Sequence, residues 1–264
     1  MRDFTERFAH LDPAVWTAAY LPAWSSRADA AATFTTGHDG LDLYIPHDHP
    51  LWCPDLHTPA LRVSGIQSAN RSGAVGTDDA PQPFRDDLLV REQQPTVLGF
   101  VPCYGLIEVS CSAELTAGSM ISAWMVGLED QPQRCGEICL MEVFGKTIDG
   151  ATAAVGQGIH PFRDPALQED FSAPLTEIDV GESHTYGVQW QPGRVEFTID
   201  GVTTRISEQA PDYPMLLFLA VFDFPDQSDG SSAVPHLRVS RVSGAGLGPA
   251  SVVRGAAPTR LPPA

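Results

Sequence analysis

The sequence predicts an all-β protein, an antiparallel β-sandwich built from many short strands. Glycine and proline contribute 23 residues each to a chain of 264, which suits strands joined by tight turns better than long helices. The apolar fraction of 43% is enough for a sizeable core in a chain of this length. No useful stretch of helical periodicity is present, whereas β-prone runs recur from residue 33 onward.

Twelve β-prone runs follow one another along the chain, and clusters of Gly, Pro and Asp separate them at the spacing expected of a sandwich. In chain order the runs are ATFTT, GLDLYI, ALRVSGIQ, PTVLGFV, GLIEVSCSAEL, SMISAWMVGL, EICLMEVF, HTYGVQW, RVEFTID, VTTRI, MLLFLAVF and HLRVSRV. The continuous apolar run MLLFLAVF is far shorter than the roughly 20 residues of a membrane span. We therefore interpret it as a buried strand.

The clearest local signal is a hairpin in WQPGRVEFTIDGVTTRI. Val195, Phe197 and Ile199 alternate with polar neighbours, as expected for a strand with one buried face. Asp200 and Gly201 are the residue types that a two-residue turn requires. The sequence therefore predicts paired strands on either side of this dipeptide.

The chain reads as a single domain over residues 1–243, followed by a loosely held tail, 244–264, that is rich in Pro, Ala and Gly. Residues 69–94 form a long polar segment between two strands. Loops of that size in compact domains are commonly functional or disordered. We expect this one to cover one end of a cleft.

The charge balance excludes several partners. Sixteen Lys and Arg residues stand against 33 Asp and Glu, a formal charge of −17, which would repel phosphate backbones and anionic lipids. We therefore expect neither nucleic acid nor a membrane as a partner. The start, MRDFTERFAHLDPAVW, lacks the basic-then-apolar order of a secretory signal, which favours the cytoplasm, or secretion if a leader has been removed. The oligomeric state is left open.

Neither a metal nor a cofactor is predicted. The five cysteines are Cys53, Cys103, Cys111, Cys135 and Cys139. They lack CxxC spacing, which indicates reduced thiols rather than a zinc site or a disulfide framework. The HDH triplet at 47–49 together with His57 invites a metal interpretation, but the stretch is loop-like and offers no evident fourth ligand.

Two glutamates in GEICLMEVFG, residues 136–145, carry the functional argument. Glu137 and Glu142 are five positions apart, so on a regular strand they would point to opposite faces. A bulge near Leu140 or Met141 restores the phase, and Glu137, Cys139 and Glu142 then share one face. Two carboxyl groups about 5 to 5.5 Å apart suit a retaining glycosidase, in which one attacks the anomeric carbon and the other protonates the leaving oxygen.

At this point the sequence resembles glycoside hydrolase family 16, the family of laminarinases and lichenases. GEICLMEVFG is similar to the family signature Glu-x-Asp-x-x-Glu. Further stretches line up with family strands in the same order, over roughly residues 10–243. These are VSGIQS, YGLIEVSCSAEL, ISAWMVG, HTYGVQWQPGRVEFTIDG and DYPMLLFLAVF. The resemblance implies a concanavalin A-like jelly roll.

The resemblance also implies roles for individual residues. Glu137 stands in the place of the nucleophile, Glu142 in that of the acid/base, and Cys139 in that of the aspartate that orients the nucleophile. His160, in GQGIHPF, follows the catalytic strand by one hairpin and is a candidate donor to the nucleophile or to a sugar hydroxyl.

Trp124 is a candidate sugar platform, with a core position as the alternative. A Trp that the family usually carries before the first glutamate is replaced by residues such as Arg134 and Cys135, and Arg134 is a candidate for substrate binding. A structural calcium occurs in the family, but no ligands for one can be named here.

The sequence leaves three functions open. The first is cleavage or transfer at a β-glycosidic bond with retention, on a carbohydrate or small glycosylated substrate. The second is a sandwich that binds sugar without cleaving it. The third is a cytoplasmic enzyme that uses the same acids on a small glycosylated or polycyclic molecule. Because a thiol is a weak donor and mostly neutral at pH 7, Cys139 changes the environment of both acids.

Overall fold

The computed structural model describes residues 3–228 and 230–246, and within them the chain is almost entirely β-structure. In these two ranges three short 3₁₀ helices occur, at Pro22–Trp24, Gly145–Thr147 and Pro225–Gln227. The strands are β1 (Phe4–Glu6), β2 (Phe34–Gly37), β3 (Gly40–Tyr44), β4 (Arg62–Gln67), β5 (Ala69–Asn70), β6 (Val97–Leu98), β7 (Gly105–Glu114), β8 (Ser119–Gly127), β9 (Glu137–Phe144), β10 (Thr152–Ala154), β11 (Gly156–His160), β12 (Asp170–Ser172), β13 (Leu175–Glu177), β14 (His184–Gln191), β15 (Arg194–Ile199), β16 (Val202–Ser207), β17 (Met215–Asp223) and β18 (His236–Ala245).

Two antiparallel sheets form the predicted sandwich. The larger sheet has the order β16-β15-β14-β7-β18-β3-β2, with β1 also paired to β18. The smaller, six-stranded sheet has the order β12-β11-β9-β8-β17-β4. Two further pairs, β10 with β13 and β5 with β6, lie outside these sheets. The jelly-roll sandwich predicted from the sequence is confirmed.

The main core lies between the two sheets. On β7 the inward residues Ile107 and Val109 are fully buried, and Val188 and Trp190 of β14 are buried against the same core. Alternation with more exposed neighbours on β7 matches the period of two that a half-buried strand shows.

The six-stranded sheet is buried on both faces. A second apolar cluster covers the face that points away from the main core, and it includes Trp124 and Phe218 of the sheet with Trp24 and Trp52 of the N-terminal segments. Every residue of β8 is buried, which explains why apolar residues occur on both of its faces instead of alternating with exposed polar ones. The buried strand predicted from MLLFLAVF is β17.

The predicted hairpin is confirmed. Ile199 of β15 pairs with Val202 of β16, which leaves Asp200 and Gly201 as the two-residue turn. Both have positive φ, +50° and +75°, as the preferred hairpin turn demands.

Some short strands were not predicted, and the strand predicted from PTVLGFV was longer than the observed one. Of the run PTVLGFV only β6, Val97–Leu98, is a strand. The unpredicted strands include β11, whose sequence GQGIH contains two glycines and little β-branched character. Strand β18 ends at Ala245, two residues inside the predicted tail, and residues 247–264 lie outside the described chain.

Candidate active site

A β-bulge in β9 turns both glutamates toward one face, as the sequence predicted. Against β8, Cys139 pairs with Trp124 and Met141 pairs with Ala123, so Leu140 is the extra residue. Glu142 pairs with Ser122 beyond the bulge. Because Ser122 and Trp124 are two positions apart on β8, their partners Glu142 and Cys139 share a face, and Glu137 shares it by alternation.

Side chains donate hydrogen bonds to backbone carbonyl groups at the bulge. The side-chain amide of Gln157 donates to the carbonyl of Leu140 at 2.9 Å, and the hydroxyl of Ser122 donates to the carbonyl of Met141 at 3.1 Å. A buried carbonyl without a partner would be costly. The bulge is therefore held by specific hydrogen bonds from the two neighbouring strands.

Both glutamates line one cavity of about 260 Å³. Its floor is the six-stranded sheet, with Ser122, Trp124, Glu137 and Glu142 among the contributors. Its walls come from loops that are distant in sequence, through Tyr20, Trp52, His57, Gln82, Phe84, Glu129, Cys135, Phe162 and Arg163. Gln82 and Phe84 belong to the 69–94 segment, so this segment contributes to the cavity wall, while its covering one end of a cleft stays a prediction.

Aromatic rings enclose one side of the cavity. Tyr20 lies 5.1 Å from Trp52 and 5.6 Å from Phe222, measured between ring centroids, and both contacts are edge-on. Trp124 stacks on Phe218 at 4.8 Å with an interplanar angle of 8°. The wall is therefore apolar and packed, which withholds water from the carboxyl groups beside it.

The environment raises the pKa of both acids. Burial, followed by the nearby charges of Glu142 and Glu169, raises the pKa of Glu137 to about 8. Burial also raises the pKa of Glu142, while the positive charge of His160 opposes that shift. Both carboxyl groups therefore hold a proton to higher pH than a carboxyl group in water does.

Cys139 lies between the two acids and is 1% exposed. Burial, and then the charges of Glu137 and Glu142, hold the pKa of its thiol well above its ordinary value. The side chain at this position is therefore a neutral thiol, unlike the aspartate of the family signature.

His160 is positioned next to the site but is engaged elsewhere. It pairs with Glu137 across β11 and β9. Its Nδ1 lies 2.8 Å from a carboxylate oxygen of Glu169, and its ring stacks on Phe171 at 4.5 Å. No hydrogen bond joins it to Glu137 or Glu142 in the described structure. Its action as a donor in the site stays a prediction.

The two candidate binding residues lie in different places, because Trp124 lines the cavity and Arg134 does not. Trp124, 5% exposed, lines the cavity and is at the same time a packed member of the second apolar cluster. Arg134 does not line this cavity, and its role in substrate binding stays a prediction. Its guanidinium binds Asp130 at 3.1 Å and lines a different surface depression, because the loop before β9 directs Cys135 into the cavity instead.

Sequence reasoning missed a third carboxyl group in the cavity wall. Glu129 is buried, its Oε2 lies 2.5 Å from the guanidinium of Arg163, and its Oε1 accepts the backbone N–H of Gln82 at 2.7 Å. These bonds join three loops. No periodic pattern links residues 82, 129 and 163, so nothing in the sequence signals the contact.

The histidines of the HDH triplet bond to groups of the protein. His49 bonds Thr33 and the carbonyl of Val63, and His47 bonds the carbonyl of Ser232. His57 bonds the carbonyl of Pro59. Within residues 3–228 and 230–246 no group of three or more His, Cys, Asp or Glu could hold a metal ion. All five cysteines are free thiols.

No helix among the described residues has the length and apolarity to cross a membrane.

The jelly-roll sandwich, together with the family match that follows, supports an enzyme of the glycosidase type. Residues 100–228 match the family model described as glycosyl hydrolases family 16. This match covers just under half of the chain, and over those residues it confirms the resemblance noted in the sequence. No curated protein matches the chain in sequence.

Solved structures share the fold at low sequence identity. A GlcNAcα1-4Gal releasing endo-β-galactosidase from Clostridium perfringens is 23% identical with a TM-score of 0.76, over 91% of this chain and 61% of that one. The catalytic domain of an endo-1,3-β-glucanase (laminarinase) from Thermotoga petrophila is 16% identical with a TM-score of 0.61, over 91% and 95%. A β-1,3-1,4-glucanase (lichenase) derived from a mouse hindgut metagenome is 17% identical with a TM-score of 0.59, over 92% and 99%.

Proposed function

We propose that the protein cleaves or transfers a β-glycosidic bond with retention, with Glu137 as nucleophile and Glu142 as acid/base. The observation that carries the proposal is the bulge at Leu140, which brings both acids to one face and one cavity. The match of residues 100–228 to the family 16 model supports the same class of reaction. No metal or cofactor enters the proposed chemistry.

The reaction would take two steps. First, protonated Glu142 gives its proton to the glycosidic oxygen while the carboxylate of Glu137 attacks the anomeric carbon, forming a glycosyl ester and releasing the leaving group. Then ionised Glu142 takes a proton from water, or from an acceptor hydroxyl, which attacks the anomeric carbon and frees Glu137. Two inversions give net retention.

The charge states set a condition on this mechanism. The pKa of Glu137 is raised to about 8, so this carboxyl group mainly holds a proton near neutral pH. The reactive arrangement has that proton on Glu142. We infer that substrate binding must favour this arrangement, and that activity at acidic pH is limited by the fraction of ionised Glu137.

The test begins with wild type, Glu137→Ala and Glu142→Ala on β-glucans, β-galactans and aryl β-glycosides. Removal of the acid/base should lower kcat by about 10²–10⁴ on unactivated substrates. Added azide distinguishes the roles: with Glu137→Ala it should yield the glycosyl azide of inverted configuration, and with Glu142→Ala that of retained configuration. Glu182→Gln, an exposed acid, is the control.

Two results would remove parts of the proposal. Equal rates for wild type and Glu137→Ala on every substrate would exclude hydrolysis by this pair. Binding of an oligosaccharide without release of reducing ends by wild type would favour a sugar-binding protein. NMR of the first product formed from an aryl β-glycoside should show the β-anomer, and the α-anomer would contradict a retaining mechanism.

A small glycosylated molecule or a chain end is the second candidate substrate, and the cavity favours it. A volume of about 260 Å³ lies just below the roughly 300–1,000 Å³ of sites for drug-sized ligands. Loop residues such as Trp52 and Phe84 wall it. Comparing kcat/KM along a β-glucan oligosaccharide series separates the candidates, because a short site gains nothing beyond the first few sugar units.

A further inference from the structure

We propose that Phe162 and Arg163 form a ledge at the mouth of the cavity that binds a neutral sugar ring. The inference rests on the proposed function, since it concerns the same cavity, and it names a binding surface and a substrate class for it. Phe162 supplies the apolar face, and Arg163, held by Glu129, supplies hydrogen-bond donors beside it.

Phe162 is unusual in its exposure. Its side chain is 58% exposed, and every other Phe, Tyr or Trp in the described chain is buried or intermediate. Other exposed large apolar residues, such as Leu175 and Val202, do not line the cavity, whereas Phe162 does. An aromatic ring left in water beside two candidate catalytic acids is a surface that a sugar ring can cover with its C–H groups.

The backbone at Phe162 is strained as well. Its φ is +46°, in the left-handed region where a bulky side chain crowds the following carbonyl. Such conformations persist where the surroundings enforce them, and they concentrate at binding and catalytic sites. The backbone N–H of the next residue, Arg163, donates to the sulfur of Cys135 at 3.2 Å. That contact anchors the turn against the cavity wall.

Arg163 is fixed beside this ring. One guanidinium nitrogen binds Glu129 at 2.5 Å, and the side chain of Arg163 is 44% exposed against 6% for Glu129. The remaining guanidinium N–H groups have no protein acceptor in the part of the chain that the structure describes. They can donate to hydroxyl or ring oxygens of a sugar lying on Phe162.

The charges favour a neutral sugar. Among the described residues that line the cavity, Arg163 is the only Lys or Arg, and Glu129 already balances it. Glu137 and Glu142 add acidic groups, and the whole chain carries a formal charge of −17. A sulfated or uronic acid substituent would therefore meet repulsion without a free cation to compensate it.

The experiment measures binding without turnover. In a Glu137→Gln background, calorimetry is run with a β-1,3-glucan tetrasaccharide, a mixed-linkage β-glucan tetrasaccharide and a β-galactan tetrasaccharide. We expect Phe162→Ala to weaken binding of the best of these about tenfold, and Phe162→Tyr to restore it. Leu175→Ala, at a similarly exposed residue on β13 outside the cavity, should leave binding unchanged.

Two further measurements separate binding from structure. Phe162→Gly should raise the denaturation midpoint, because glycine accepts positive φ freely, and it should still lose sugar affinity. A sulfated form of the best probe should bind at least tenfold more weakly than the neutral form. Tighter binding of the sulfated form would overturn the neutral substrate class.

The ledge and the proposed reaction can fail separately. Equal affinities for Phe162→Ala and its parent, or no binding of any of the three probes, would overturn the ledge. If wild type cleaves a substrate and Phe162→Ala has the same KM, the proposed ledge is contradicted and the proposed reaction is supported. If no substrate is cleaved but sugar binding depends on Phe162, the proposed reaction is contradicted and the proposed ledge is supported.

Discussion

Gln157 of β11 donates its side-chain amide to the carbonyl of Leu140, the extra residue of the bulge in β9, at 2.9 Å. The hydroxyl of Thr204 in turn donates to the Oε1 of Gln157 at 2.6 Å. Leu140, whose insertion places Glu137 and Glu142 on one face, is thus held by a hydrogen bond from β11. Gln157 of β11 is held in turn by a hydrogen bond from β16. A polar chain of this kind, with Gln157 buried at its centre, specifies one arrangement when every member is satisfied.

Replacing Gln157 with alanine should destabilise the bulge. The Leu140 carbonyl would lose its donor in a buried place, so we expect the free energy of unfolding to fall by about 1–3 kcal/mol and kcat to fall with it. Urea denaturation and kinetics on the best substrate measure the two effects. Gln189→Ala on β14 is the matched control, since its amide makes no hydrogen bond within the described residues. Unchanged stability and kcat would show that the bulge does not need Gln157.

Tyr213 should stabilise the start of β9, the strand that carries the bulge. Its hydroxyl donates to Asp164 at 2.6 Å and accepts the N–H of Gly136, the residue before Glu137, at 2.8 Å. Tyr213→Phe leaves both partners without this contact, so we expect a loss of about 1–3 kcal/mol in the free energy of unfolding. Thermal or urea unfolding tests it. Tyr44→Phe, whose hydroxyl has no bonded partner in the described structure, should change little, and equal losses for both variants would contradict the prediction.

The pH dependence of stability should report the raised pKa of Glu137. In the unfolded chain this carboxyl ionises near pH 4.3, whereas in the folded chain its pKa is about 8. Between these values the unfolded state binds fewer protons, so the free energy of unfolding contributed by this group falls as pH rises.

In the Glu137→Gln variant this decrease in the free energy of unfolding with rising pH should be absent. The variant should gain stability relative to wild type between pH 5 and pH 9, as measured by urea midpoints at both values. Glu182→Gln should show no such trend. A wild-type to Glu137→Gln difference that is constant with pH would contradict a raised pKa.

A substitution series at Cys139 should separate charge from hydrogen bonding. Cys139→Asp adds a carboxyl group between Glu137 and Glu142, so we expect higher activity or a displaced pH profile. Cys139→Asn supplies polar atoms without charge, and Cys139→Ser preserves a small neutral group. The pH dependence of kcat/KM for all three is the measurement. An Asp profile that matches the Asn profile would show that charge at this position is not coupled to the acid pair.

Local sequence patterns predicted much of the fold and the centre of the candidate site. The period of two in β15, the Asp200–Gly201 turn and the apolar run of β17 are encoded within a few neighbouring residues. The spacing of Glu137 and Glu142 required an irregular strand if both acids were to share a face, and the bulge lies where that requirement placed it. Such inferences succeed because strand geometry relates neighbours by a fixed period.

Only the tertiary structure decided the surroundings of those acids. Glu129, Arg163 and Gln82 meet although they are far apart along the chain, and Arg134 turns away although it is close to Glu137. Loop paths depend on which distant segments pack together, and a single sequence carries no periodic signal for that. The sequence by itself determined the sandwich and its pair of acids, whereas the folding of distant loops over one sheet decided the cavity, its raised pKa values and its exposed ring at Phe162.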